Sequence, residues 1–193
     1  MRVRDRLTSA TAVLMQRHGV AGTGIARILE TSGVTRRSIY LNFPGGKAEL
    51  VTAATRFAGD ELSGTIRGLV DTPDPVGAFA RMWGTVLLST EFEGGCPIVA
   101  AACSGDEAPE AAAAAAEVFA TWGTLLAERL IRDGIAEDVA QSLSTTIVAS
   151  MEGAVILARA ARSTTPLEQV AHHIEELIAA HRPAARQRRR TEK

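Results

Sequence analysis

An all-α fold is predicted by three features of the sequence: long stretches rich in Ala, Leu, Glu and Arg, few aromatic residues, and apolar positions recurring at three- and four-residue spacings. With 46% of its 193 residues hydrophobic, the chain has ample material for a buried core, as one domain or as a small domain fused to a larger one. The expected architecture is an N-terminal three-helix helix-turn-helix head at residues 1–46 on a larger helical body at residues 47–181. A basic, disordered tail at residues 182–193 follows, and the helices number about nine.

The first helix is expected from Val3 to His18, where Val3, Leu7, Ala10 and Leu14 mark a buried stripe, and Gly19 ends it. Beyond a short loop, Thr23 is placed to cap a helix that starts near Gly24 or Ile25 and buries Ile25, Ile28 and Leu29. Ser32, Gly33 and Val34 make the turn that follows: Gly33 supplies a left-handed backbone and Val34 plugs the corner. Thr35 then caps a third helix that buries Ile39 and Phe43, four residues apart. Left outside are Thr35, Arg36, Arg37, Ser38, Tyr40 and Asn42, mostly hydrogen-bonding residues of the kind that meet phosphates and base edges. Pro44 biases Phe43 away from helix and two glycines follow, so this stretch turns.

A long helix is expected from Lys47 to Val70, with Leu50, Val51, Ala54, Phe57, Ala58 and Leu62 on one side, until the prolines at 73 and 75 break it. Further helices are read from Val76 to Thr90, from Cys96 to Cys103 with Pro97 in the first turn, and from Glu110 to Arg132. Ile135 to Arg162 is a long, largely apolar helix with small residues embedded in it, among them Ala149, Ser150, Gly153 and Ala154. The last helix opens with Thr165 as cap and Pro166 in first position and runs through Val170, Ile174, Leu177 and Ile178.

The formal charge of −1 conceals an asymmetry. Residues 1–50 hold eight Arg and Lys against three Asp and Glu, residues 51–185 eight against eighteen, and residues 186–193 five against one. A basic N-terminal block with a helix-turn-helix pattern fits electrostatic attraction to phosphates. No uninterrupted apolar run of about 18 residues occurs and MRVRDRLTSA lacks the apolar middle of a signal peptide, so the expectation is a cytoplasmic protein without a membrane partner. Cys96 and Cys103 are too few for a disulfide framework and no second ligand pair accompanies them, so no metal and no cofactor are expected. Nor is catalysis: His172 and His173, adjacent on a helix, should face different ways, and no catalytic motif or glycine-rich phosphate loop after a strand is present.

The order ATAVLMQRHG, TGIARI and SGVTRRSIYLNFPGGKAEL resembles the TetR family of bacterial one-component repressors. FPGGK, with GCPIVAAA at residues 95–102 and EGAVILARAARSTTPLEQV at residues 152–170, is similar to its LmrA-type subgroup. The resemblance spans head and body. It implies a homodimer whose last two long helices pair into a four-helix bundle, a palindromic double-stranded DNA operator, and a ligand pocket inside each body. Two positions depart from the family pattern: Arg37 stands where a small Gly is usual, and Asn42 where His is frequent. The operator should differ accordingly.

The DNA-binding candidates are therefore Thr23, Gly24, Thr35, Arg36, Arg37, Ser38, Tyr40, Asn42 and Lys47. Arg36 and Arg37, in the first turn of the recognition helix, are placed for guanine edges. Tyr40, Asn42 and Lys47 suit phosphate, as do the backbone N–H groups of Thr23 and Gly24 at a helix start. Scarce aromatics and one carboxylate in an apolar run nominate Met82, Trp83, Phe92, Phe119, Trp122, Met151 and Glu152 as lining for an apolar or aromatic effector, although core packing accounts for the same residues. The expected function is ligand-responsive transcriptional regulation, most simply repression. The alternative is a small-molecule-binding or scaffolding helical protein without operator recognition.

Overall fold

The computed structural model describes residues 2–183, which form nine α-helices and one turn of 3-10 helix, with no strand among the described residues. Helices α1 (Val3–His18), α2 (Ile25–Ser32) and α3 (Arg36–Asn42) lie where the apolar spacing placed them. They are followed by α4 (Gly46–Leu69), α5 (Pro75–Ser89), α6 (Pro97–Ala102), α7 (Pro109–Arg132), α8 (Glu137–Ala161) and α9 (Thr165–His181). Proline occupies the first position of α5, α6 and α7, where its missing N–H leaves no helical bond unmade. Asp74 adds a true cap to α5, its Oδ1 accepting from the Gly77 N–H at 3.0 Å.

Local chemistry shifts three expectations. Thr23 does not cap α2: Gly24 holds the cap position, while the buried Thr23 hydroxyl donates to Gly19 O at 2.6 Å. The connection after α6, outside every helix expected from the sequence, contains the 3-10 turn Gly105–Glu107. Helix α9 begins at Thr165, putting Pro166 in its second position, because Ser163 Oγ accepts the Thr165 N–H at 3.2 Å and draws that residue into the first turn.

The chain divides into two compact units. One comprises the chain up to Gly64 together with Glu93–Phe119 and so reaches well past residue 46. Its centre is Leu7, Leu14, Ile28, Ile39, Phe43 and Leu50, with Ile25, Leu29, Val34 and Ala53 against them. Segment 93–119 joins this unit through its own bonds: the Gly95 N–H donates to Gln16 O at 2.9 Å, and α6 packs on α1. Gly59 permits the close passage of α4 and α7, since a Cβ there would overlap Val118.

The second unit comprises Thr65–Phe92 and the chain from Ala120 on. Here α9 packs on both α5 and α8 and buries Leu167, Ala171, Ile174 and Ile178. The turn between α4 and α5 is held by Arg129, whose Nη1 donates to Val70 O and, at 3.0 Å, to Thr72 O. Arg182, expected at the start of a free tail, belongs to this unit: its Nη2 lies 2.6 Å from Asp133 Oδ2, while Arg129 Nε lies 3.3 Å from Oδ1. Residues 184–193 of the expected tail lie outside the described residues.

Helix α8 has the length and apolar composition of a membrane span, yet 44% of its most apolar window is packed inside the protein. Its uncovered positions include Ala149, Ile156 and Leu157, which with half-buried Gly153 make a stripe of small and apolar residues one to two turns apart.

Candidate DNA-binding face and effector cavity

The candidate DNA-binding face is built by locking one side of α3 into the core so that the opposite side is fixed in space. Ile39 and Phe43 are fully buried, and their spacing of four sets the rotation of the helix. Gly33 turns the chain with φ +64° and ψ 29°, the left-handed geometry that its missing side chain allows. Thr35 caps α3, its Oγ1 accepting from Ser38 N at 3.4 Å and lying 3.0 Å from Ser38 Oγ. Two arginines of α1 brace the motif. Arg4 places its guanidinium 4.3 Å from the Phe43 ring centroid and donates to Asn42 O at 2.6 Å, and Arg6 donates to Ser32 O at 2.6 Å and to Gly33 O at 3.3 Å.

The outer side of α3 presents Thr35, Arg36, Arg37 and Tyr40 to solvent. Arg36 and Arg37 form no ion pair among the described residues, so two guanidinium forks stand free in the first turn of the helix. Ser38 and Asn42 are half-buried, and Asn42 Nδ2 is engaged with Ser38 O at 2.8 Å. Leu41, 70% exposed, shares this surface and was not among the sequence candidates; its exposure follows from being two residues past Ile39, off the buried stripe. Gly24 opens α2 with no atom near its missing side chain, whereas Thr23 is fully buried and its N–H donates to Val20 O at 3.1 Å. Lys47 is turned elsewhere: its Nζ lies 2.7 Å from Glu107 Oε1, on the 3-10 turn of the same unit.

The second unit holds a cavity of about 480 Å³, counting the space open at its mouth. Its walls are Ile66, Leu69 and Val70 from the end of α4 and the turn after it, Pro75, Val76 and Phe79 from α5, Trp122 and Leu126 from α7, and Ile147, Val148, Met151 and Glu152 from α8. Its walls are apolar, as those of small-molecule sites mostly are. Of the seven sequence candidates the cavity brings together Trp122, Met151 and Glu152. Trp83 is buried behind Phe79, ring centroids 6.3 Å apart and edge to face; Met82, Phe92 and Phe119 are half-buried outside the walls. Glu152, only 7% exposed, is the one acidic residue in the lining.

A polar cleft shares Pro75, Val76, Leu126 and Ile147 with this cavity and adds Asp74, Asp133, His172, Glu175 and Glu176. There a hydrogen bond between the Asp74 and Glu175 carboxyls raises the Glu175 pKa, assisted by burial, and lowers that of Asp74. One proton held between two carboxyls accounts for both directions.

Known proteins similar to this chain match it along most of its length. The profile of "Bacterial regulatory proteins, tetR family" matches residues 7–54, and that of "Transcriptional regulator LmrA/YxaF-like, C-terminal domain" matches residues 74–173. An uncharacterized HTH-type transcriptional regulator of Mycobacterium tuberculosis is 37% identical over 187 residues, covering 93% of this chain and 96% of the relative. A TetR transcriptional regulator from Legionella pneumophila superposes with a TM-score of 0.80 at 20% identity, over 92% of this chain and 97% of that one. The regulator CifR, solved with a 26-base-pair double-strand operator DNA, superposes with a TM-score of 0.71 at 20% identity, over 93% of this chain and 96% of that one.

Proposed function

The chain belongs to the TetR family of DNA-binding transcriptional regulators, which are not enzymes, and from that premise we propose that it is an effector-responsive repressor acting in the cytoplasm. The observation that carries this reading is the row Thr35, Arg36, Arg37 and Tyr40, exposed on a short helix whose other face is fixed by Ile39 and Phe43. Arg36 and Arg37 read guanine edges, and Thr35, Ser38, Tyr40, Asn42, Lys47 and the Gly24 backbone hold phosphates. Leu41 adds apolar contact to a thymine methyl. Thr23, buried and bonded inward, serves by shaping the loop before α2.

Two copies bind a palindromic operator as a homodimer, joined through the uncovered stripe of α8 and the outer face of α9, which leaves Leu177 exposed. Heads of such a dimer must meet half-sites about one helical turn of DNA apart, roughly 34 Å. An apolar or aromatic effector in the cavity lined by Trp122, Met151 and Glu152 favours a different separation and so lowers operator affinity without touching DNA. No cofactor takes part in this scheme.

Fluorescence anisotropy with the chain's own upstream intergenic DNA and with random DNA of equal length, at physiological salt, tests the proposal. Preference of about 1000-fold or more for the upstream DNA is expected of a specific regulator. Equal affinity for both would favour the alternative, a helical small-molecule binder that does not recognise an operator.

A further inference from the structure

His172 and His173 are neighbours on α9, and neighbours on a helix diverge by about 100°. Their rings nevertheless converge, because Glu176 stands one turn on, four residues from the first and three from the second. His172 Nε2 lies 3.5 Å from Glu176 Oε1 and His173 Nδ1 lies 3.0 Å from Oε2, with the two ring centroids 5.4 Å apart. The donor atoms of all three residues lie within 4.8 Å of one another.

We propose that His172, His173 and Glu176 form a surface site for a divalent transition-metal ion. A tetrahedral ion with bonds of about 2.0–2.2 Å holds its ligand atoms roughly 3.3–3.6 Å apart, so the 3.5 Å spacing of His172 and Glu176 already fits and small rotations of the exposed side chains bring in the other two. Two imidazoles and a carboxylate select ions of the zinc, nickel and copper class over magnesium and calcium, which take all-oxygen shells. Three protein ligands leave one coordination position for water. The adjoining cleft is of mixed charge: Asp74, Asp133, Glu175 and Glu176 line it beside His172, and Arg129 and Arg182 stand opposite in sign. Neither operator contact nor the apolar cavity employs these residues; they stand exposed on α9, whose outer face also carries Leu177 of the proposed dimer surface. The competing arrangement is a pair of ordinary His–Glu bonds along one helix, which would bind no ion.

Zinc titration of the untagged full chain by calorimetry tests the proposal, in a C103S background that removes the exposed thiol as a competing ligand. Expected are one equivalent of zinc bound, no response to magnesium, and binding weakened at least about 10-fold by each of His172→Gln, His173→Gln and Glu176→Gln, with His181→Gln unaffected. The cobalt-substituted chain should show tetrahedral visible absorption that the same three variants lose, while circular dichroism verifies their helix content. Absence of zinc binding, or binding that survives His173→Gln and Glu176→Gln, overturns the proposal.

Discussion

Arg37 lies in the first turn of α3, where its exposed guanidinium is free of ion pairs among the described residues. If it and Arg36 read bases, alanine at either position lowers the ratio of operator to random-DNA affinity by about 10- to 100-fold, the equivalent of roughly 1–3 kcal/mol per bidentate contact. Equal losses on both DNAs would instead assign them to phosphate. Lys47 poses a different question, because Glu107 holds its ammonium group at 2.7 Å. A phosphate would have to compete with that carboxylate. Lys47→Ala should therefore weaken binding to all DNA alike and reduce the salt slope by about one, while Glu107→Gln should strengthen binding to all DNA alike. Unchanged affinity in both variants would confine the pair to a structural role. The Thr35 cap was legible in the sequence because cap chemistry is local, whereas the partner of Lys47 was not, lying 60 residues away in a stretch outside every expected helix.

At the scale of elements, apolar spacing located the longer helices, because a stripe at 3.6-residue period has one way to be buried, whereas α6 was legible from Pro97 and the 3-10 turn at Gly105–Glu107 was not legible. Helix starts were less legible where two adjacent hydroxyls compete, as at Ser163 to Thr165. The links between distant elements left no trace in the sequence pattern. Arg129 and Arg182 enclose Asp133, tying the end of α9 to the end of α7, and Arg129 also pins the turn between α4 and α5. Burial pushes the Asp133 carboxyl up, but the Arg182 hydrogen bond and the charges of Arg129 and Arg182 outweigh it and leave the group below its ordinary value. A carboxyl depressed in the folded state contributes stability above the ordinary carboxylate range and loses it as pH falls through the lowered folded value. Asp133→Asn should thus lower stability by about 1–3 kcal/mol at neutral pH, with the difference from wild type shrinking in acid. Thermal melts at neutral pH and near pH 3 measure it, and a difference independent of pH would contradict the clamp.

For the whole molecule, the family was more legible than the lining of the cavity. Composition nominated the aromatics of α5 and α7, yet the cavity takes Phe79 and Trp122 and leaves Trp83 behind the wall. Phe79 and Trp83 are four residues apart on one stripe of α5, so periodicity alone could not say which of them meets empty space. The stripe of α8 holding Ile156 and Leu157, with half-buried Gly153 beside them, reads in the sequence only as apolar with small residues embedded; in the single chain Ile156 and Leu157 are exposed, and the proposed dimer would cover them. Leu157→Glu should yield a monomer of unchanged helix content with operator affinity reduced to the random-DNA level. A variant that stays dimeric in sedimentation would remove α8 from the interface.

The central claim is that two copies of the α3 row read one palindrome, and a footprint of the purified chain on its own upstream DNA tests this most directly. The account predicts two protected patches related by a dyad, centred about one helical turn apart and lost together in Arg37→Ala at the same protein concentration. Uniform protection along the fragment, or an isolated patch without a dyad mate, would contradict it.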